Sequence, residues 1–211
     1  MGKVIAVDGP AGAGKSTVSK IVAARLGYTY IDTGAMYRAV GLKLAKTGAE
    51  LAEIVDGIEI ELDDKARVFL DGQEVTAEIR TPEISRLASD VSKFGFVRKK
   101  LTELQRKMAE RGSVIMDGRD IGTEVLPNAD VKIFLTATLD ERARRRFEEL
   151  KAKGQAADFD AVKAEIAARD KQDSEREIAP LRQADDAVLV DSTSLTIEQV
   201  VAQILAICST R

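Results

Sequence analysis

The sequence predicts an α/β fold on a parallel sheet, and three observations carry that prediction. Short, apolar, β-branched runs alternate with longer stretches of helical spacing almost throughout the 211 residues. The first run leads directly into GPAGAGKST, a glycine-rich turn of the kind that joins a strand to a helix. A chain of this length buries a sizeable core and fits one domain with insertions better than two independent ones.

Lys3 to Asp8 is the first buried strand, and Ser16 to Leu26 is its helix, ended by Gly27. Tyr28 to Asp32 predicts a second strand. Thr33-Gly34 then opens an amphipathic helix running from Ala35 to Lys46. From Gly57 to Val75 the rhythm changes to period two, broken at Asp63-Asp64 and at Asp71-Gly72, which are antiparallel strand and turn signals. This segment is expected outside the main sheet. Helices resume over Pro82 to Ser92 and Val97 to Glu110, and Ser113 to Met116 and Val131 to Leu135 read as the third and fourth buried strands. Two charged helices follow, Asp140 to about Lys153 and Phe159 to about Lys171. Ala187 to Val190 gives a fifth strand and Ile197 to Ile207 the closing helix.

Net charge is −3 with 32% of residues charged and both signs interspersed, so no polybasic arm or acidic tail points to nucleic acid as a partner. Histidine is absent from the composition, which eliminates imidazole bases and His-ligated zinc. Chemistry must rest on Lys, Arg, Asp, Ser, Thr, Tyr and a hard metal ion. The single cysteine, Cys208, lies in the apolar closing helix and reads as a small core residue, so a reducing cytoplasm is expected. The apolar stretches are too short to span a bilayer, and Val4 to Val7 is too short for the core of a signal peptide, so no membrane partner is expected.

Gly9, four residues, then Gly14, Lys15 and Ser16 is the spacing of a loop whose backbone N–H groups surround the phosphates of a nucleoside triphosphate. Its glycines give positive φ and close approach. Lys15 supplies a point charge, and the Ser16 hydroxyl suits a Mg²⁺ ion bridging the phosphates. The candidate ATP site is therefore Gly9, Pro10, Ala11, Gly12, Ala13, Gly14, Lys15, Ser16 and Thr17. In an open parallel sheet, ligands bind beyond the carboxyl ends of the strands. There the sequence also places Asp32-Thr33, with Tyr37 and Arg38 one turn on, and the run Asp117-Gly118-Arg119-Asp120. Asp32-Thr33-Gly34 alone reads as a helix cap. Of the run Arg142 to Arg146, two or three at most can reach one phosphate, because successive helical residues diverge. By composition, Arg169 to Arg176 is a solvated face.

Four segments carry a resemblance to a known family: IDTGAMYRA (31–39), EIRTPEIS (78–85), DGRDIGT (117–123) and RDKQDSEREIAPL (169–181). In register over nearly the whole chain, they resemble the motifs of the bacterial cytidylate kinases, which phosphorylate CMP and dCMP. The Thr at position 33 stands where some members have Ser and keeps the hydroxyl. The resemblance implies a P-loop NTPase-type five-stranded parallel sheet flanked by helices, with an inserted subdomain for the nucleoside monophosphate and a short lid. One domain, 1–211, would then comprise a core (1–47, 97–153 and 177–211), the insertion at about 48–96 and the lid at about 154–176.

By the same carry-over, Arg38, Arg119 and Arg176 would hold the CMP phosphate, with Thr33 and Tyr37 beside them. Ser89, Arg98 and Asp120 would read the cytosine, and Arg169 and Asp173 the sugar hydroxyls. Lys15, Ser16 with Mg²⁺, and lid-side Arg145 would handle ATP, while Asp117 resembles the carboxylate that orients metal-bound water. Lys15, Arg119, Asp117 and Arg145 are the expected catalytic set, and a cytoplasmic monomer is expected. The implied reaction is transfer of the γ-phosphoryl group of ATP to CMP or dCMP. The residues alone leave open another P-loop kinase of nucleotides or small molecules, and a non-catalytic nucleotide-binding module. A switch GTPase would carry a guanine-reading Asn-Lys-x-Asp stretch, which this sequence lacks.

Overall fold

The computed structural model describes residues 2–210. Five strands, β1 (Val4–Asp8), β2 (Thr29–Asp32), β6 (Val114–Asp117), β7 (Val131–Thr136) and β8 (Val188–Asp191), form one sheet in the order β2-β6-β1-β7-β8. All its pairings are parallel, in register from Thr29↔Val114 at one edge to Thr136↔Asp191 at the other. The predicted fold class is therefore correct. The central strand β1 is buried on both faces, as a parallel strand covered by helices must be.

The helices cover the sheet in two layers. On one face α1 (Lys15–Leu26) and α8 (Ile197–Thr210) pack Val18, Val22, Val201 and Ile204 against Ile5, Val7, Ile133 and Leu135. Cys208 is buried in this core and free. The other face buries Ala6, Ile31 and Met116 against Ala109, at the end of α5 (Gly95–Ala109), and against Ile121 and Val125. A separate core joins α2 (Thr33–Thr47), α3 (Leu51–Asp56), α4 (Pro82–Val91) and α5 to a small antiparallel sheet of β3 (Ile60–Leu62), β4 (Val68–Leu70) and β5 (Gln73–Glu74). Residues 57–75 thus form a sheet of their own, as their period-two pattern predicts. The pair α6 (Leu139–Ala152) and α7 (Phe159–Glu175) packs through Ala143, Val162 and Ile166. Among the described residues, no helix is long and apolar enough to cross a membrane.

Three elements depart from the sequence reading. The α3 turn rests on only two buried side chains, Ile54 and Val55, too few for a periodic signal. A π-helical turn at Ile121–Val125 follows Asp120, and its first two N–H groups donate to Asp8 at 2.8 and 2.7 Å. Helix α7 continues past Lys171 to Glu175, with Asp173 buried. Its last turn is held by ion pairs to arginines rather than by an apolar stripe.

The phosphate loop hangs between β1 and α1 with Gly9, Gly12 and Gly14 at φ of +146, +75 and +92. Gly9 is the tightest point, because a Cβ there would lie 1.9 Å from the Leu135 carbonyl oxygen of β7. Gly27, at φ +68, has open space around it. Gly9→Ala should therefore cost about 3 kcal/mol or more, combining backbone strain with a backbone clash, while Gly27→Ala costs only the left-handed penalty of about 1 kcal/mol. Equal losses of melting temperature in the two variants would contradict this account.

Candidate active site

The carboxyl ends of β1, β2 and β6 open on a single crevice of about 750 Å³, also walled by α4, α6 and α7. Its floor is set by sheet register: Val7 and Asp32 flank Asp117 on either side. Of the residues expected in the site, all line this crevice except Gly9 and Pro10. Those two turn their carbonyl oxygens to the Lys15 ammonium, which donates to both at 2.8 and 2.7 Å. Burial pulls the Lys15 pKa well down, with the Arg119 charge adding to it and Asp117 opposing.

The loop is clamped from behind. Arg142 on α6 donates to the Ala11 and Ala137 carbonyl oxygens, each at 2.9 Å, and pairs with Asp170 of α7 at 2.6 Å. Asp170 in turn accepts from the Ala11 N–H at 3.3 Å. Arg145, expected on the lid side, projects from α6 beside the loop. It donates to Ser192 Oγ and O at 3.1 and 2.6 Å, and Ser192 reaches the Ala13 carbonyl at 3.4 Å. Arg144 and Arg146 pair with glutamates at the surface. Arg144, Arg145 and Arg146 all line the crevice, while Arg142 stands behind the loop.

Asp117 is the most enclosed carboxylate of the crevice. Ser16 Oγ donates to its Oδ2 and the Tyr30 hydroxyl to its Oδ1, both at 2.8 Å, while Thr33 Oγ1 donates to its main-chain oxygen at 2.7 Å. Burial pushes the Asp117 pKa up to about 6, aided by the neighbouring Asp32. Asp32 serves both readings available to it: Oδ1 caps α2 through the Ala35 N–H, and Oδ2 pairs with Arg38 at 2.9 Å. Ser16 and Asp117 supply adjacent hard oxygens, a donor set that fits a magnesium ion otherwise held by phosphates and water. Among the described residues there is no cluster of three or more acidic, His or Cys side chains that would bind a metal unaided.

Opposite the loop stands a cluster of alternating charge. Asp120 pairs with Arg98, and Arg176 lies 3.5 Å from its other oxygen. Asp173 accepts from Arg119 Nε at 2.9 Å and lies 3.6 Å from Arg176. Arg98 also stacks on the Tyr37 ring, 5.5 Å from its centroid. Arg169 makes no comparable ion pair among the described residues, and burial with the Arg119 charge lowers its pKa to about 10. Arg38 Nε, Arg169 Nε and Arg176 NH2 are buried without a hydrogen-bond acceptor. Three guanidinium donors without a hydrogen bond line one crevice, Arg176 NH2 keeping only its long contact to Asp120, and such donors suit an anion with several oxygens. Ser89, on α4, accepts hydrogen bonds from Gln172 of α7.

Sequence reasoning missed four residues that position this site: Asp8, Tyr30, Arg142 and Asp170. Asp8 accepts the two N–H groups that start the turn after Asp120, and burial pushes its pKa up to about 6. A carboxylate ending an apolar strand was the available signal for it. Tyr30 and Arg142 act through partners 87 and 131 positions away, for which local sequence holds no signal.

The family model described as cytidylate kinase matches residues 5–210. A cytidylate kinase of Caldicellulosiruptor bescii is 55% identical over 95% of this chain and 93% of its own. That of Symbiobacterium thermophilum is 53% identical over 97% and 95%. A shikimate kinase from Bacteroides thetaiotaomicron superposes with a TM-score of 0.52 at 14% identity, covering 98% of each chain. A gluconokinase from Sinorhizobium meliloti superposes with a TM-score of 0.51 at 17% identity, covering 99% of this chain and 92% of its own. At that identity the two structures show the shared fold alone.

The raised carboxyl groups set a pH dependence. A folded pKa of about 6, against an ordinary 3.8, means that the native state holds more protons than the unfolded chain between those values. Its stabilising contribution is full below the unfolded value and is lost as pH rises through the folded one. Asp117→Asn removes that titration, so its melting temperature relative to the parent should climb by a few degrees between pH 4 and 7. A difference that stays flat or shrinks over that range would refute the raised pKa.

Proposed function

The chain belongs to the cytidylate kinase family, and from that membership and its crevice we infer that it transfers the γ-phosphoryl group of ATP to CMP or dCMP, giving ADP and CDP or dCDP. The observation that carries the acceptor side is the set of three buried, unsatisfied guanidinium donors from Arg38, Arg169 and Arg176, lining the same crevice as the phosphate loop. Two anions that repel each other need such neutralisation from both sides.

On the donor side, the loop N–H groups and Lys15 hold the β- and γ-phosphates. Magnesium, held by Ser16 with Asp117 at hydrogen-bond distance behind it, would neutralise charge on the transferring group. On the acceptor side, a phosphate monoester has a second pKa of about 6, so its oxygens are already anionic at neutral pH and no general base is needed. The residues then have to position and shield. Arg38, Arg119 and Arg176 hold the acceptor phosphate, and Arg169 and Asp173 the sugar. Ser89, Arg98 and Asp120 face the base, where the Asp120 carboxylate accepts from the exocyclic amino group that uracil lacks. Residues 48–96 act as the monophosphate-binding part and 154–176 as the lid, whose closure excludes water from a loose transition state. The protein works as a cytoplasmic monomer.

A panel of nucleoside monophosphates, shikimate and gluconate, each assayed for acceptor-dependent ADP release from one ATP stock, should single out CMP and dCMP. Equal release without any acceptor would point to a nucleotide-binding module with stray hydrolysis. Lys15→Ala should lower turnover at saturating substrates by several powers of ten while leaving the fold intact. Near-normal turnover in that variant would remove Lys15 from the chemistry.

A further inference from the structure

Arg119 and Asp120 stand between two anchors on neighbouring residues of β1. On one side the Gly118 N–H donates to the Val7 carbonyl oxygen at 3.0 Å. On the other, the Ile121 and Gly122 N–H groups donate to Oδ1 and Oδ2 of Asp8 at 2.8 and 2.7 Å. These two N–H groups open the helical turn Ile121–Val125, and N–H groups at such a start have no partner within the turn itself. The residue before the turn ordinarily supplies one, and aspartate is among the residues best suited to do so. Asp120 holds that place, yet its side chain makes no capping bond. It points instead into the crevice, to Arg98 and Arg176. Asp8, which is buried and does not line the crevice, does the capping. Burial raises the Asp8 pKa and the Asp120 charge adds to it, so the two carboxylates also repel.

We propose that Asp8 is a specificity-positioning residue: by capping the turn in place of Asp120, it leaves the Asp120 carboxylate free to face the acceptor base. The inference rests on the reading of Asp120 as the group that accepts from the cytosine amino group. Two acceptor oxygens on Asp8 meet two N–H donors, so neither donor is left to draw Asp120 back. Without them the nearest carboxylate along the chain is Asp120 itself, two positions before Gly122, which is the reach of a capping side chain. Turned back onto the Gly122 N–H, it would leave Arg98 and the base edge together. Arg119 lies on the same anchored stretch, but in that reading it grips the phosphate, which CMP and UMP share. A disturbed anchor at Arg119 therefore falls on both acceptors alike, and only the withdrawal of Asp120 separates them.

The test measures kcat/KM for CMP and UMP at saturating ATP in Asp8→Asn, Asp120→Ala and the double variant. Effects on the donor side cancel in the CMP to UMP ratio. Asparagine keeps the shape of Asp8 but sets an NH2 group against one of the two N–H donors, leaving that donor open to Asp120. Asp8→Asn should narrow the ratio about tenfold, mainly through a higher KM for CMP. In the Asp120→Ala background the same substitution should change the ratio by less than about twofold, since no carboxylate remains to be drawn back. A mere anchor of the turn on β1 predicts equal losses for the two acceptors. That result, or a narrowing that persists in the Asp120→Ala background, would overturn the proposal. If Asp8→Asn does not fold, Asp8→Ser, which keeps one small acceptor, is held to the same two criteria. An Asp120→Ala enzyme with an unchanged ratio would instead remove Asp120 from base reading, and the role of Asp8 with it.

Discussion

The site depends on a charge balance struck without ligand. Arg98, Arg119, Arg169 and Arg176 crowd around two buried carboxylates, Asp120 and Asp173. Burial alone would push the Asp173 pKa up, yet Arg119, Arg169 and Arg176 outweigh it and hold it below the ordinary carboxylate range. The arginines in turn depress one another: Arg119 lowers Arg169, and Arg98 lowers Arg176, each adding to the effect of burial. Two carboxylates cannot satisfy four guanidiniums. The donors left over line the crevice without a hydrogen-bond partner among the described residues.

Helix α7 ties that cluster to the rest of the crevice. Asp170 meets the phosphate loop through Ala11 and Arg142, Asp173 pairs with Arg119 and lies beside Arg176, and Gln172 reaches α4. Residues within a single helical turn thus touch the phosphate loop, the arginine cluster and α4. A displacement of α7 would therefore disturb all three contacts together. Helix α7 packs on α6 through Val162 and Ile166 against Ala143, with Phe159 and Leu150 beside them.

Much of the fold was legible because it is written in local periodicity. The five strands fall within a residue or two of their expected bounds, since a buried parallel strand must be a short apolar run. The Gly57 to Val75 sheet shows itself by period two. Short α3 did not, since six residues with two buried side chains make no pattern. The extension of α7 was hidden for a different reason. Arg169 to Glu175 looks like a solvated surface in composition, and only the crevice turns Asp173 inward as a buried partner of arginine.

The site divides along the same line. The phosphate loop is local chemistry: glycines at fixed spacing, a lysine and a hydroxyl within nine residues, each required by a backbone that must wrap an anion. The sequence alone therefore placed a phosphate-binding loop after the first strand as an expectation, and its four ordered motifs pointed to the family that the comparisons show. Which carboxylate meets which arginine, and which residues stand behind them, was decided by tertiary structure. Tyr30 reaches Asp117, Arg142 reaches Ala11 and Gln172 reaches Ser89 only because the strand order β2-β6-β1-β7-β8 and the packing of α7 bring distant segments within 3 Å. Hydrogen-bond polarity and ion pairing act over that distance and no further, so no spacing along the chain encodes them.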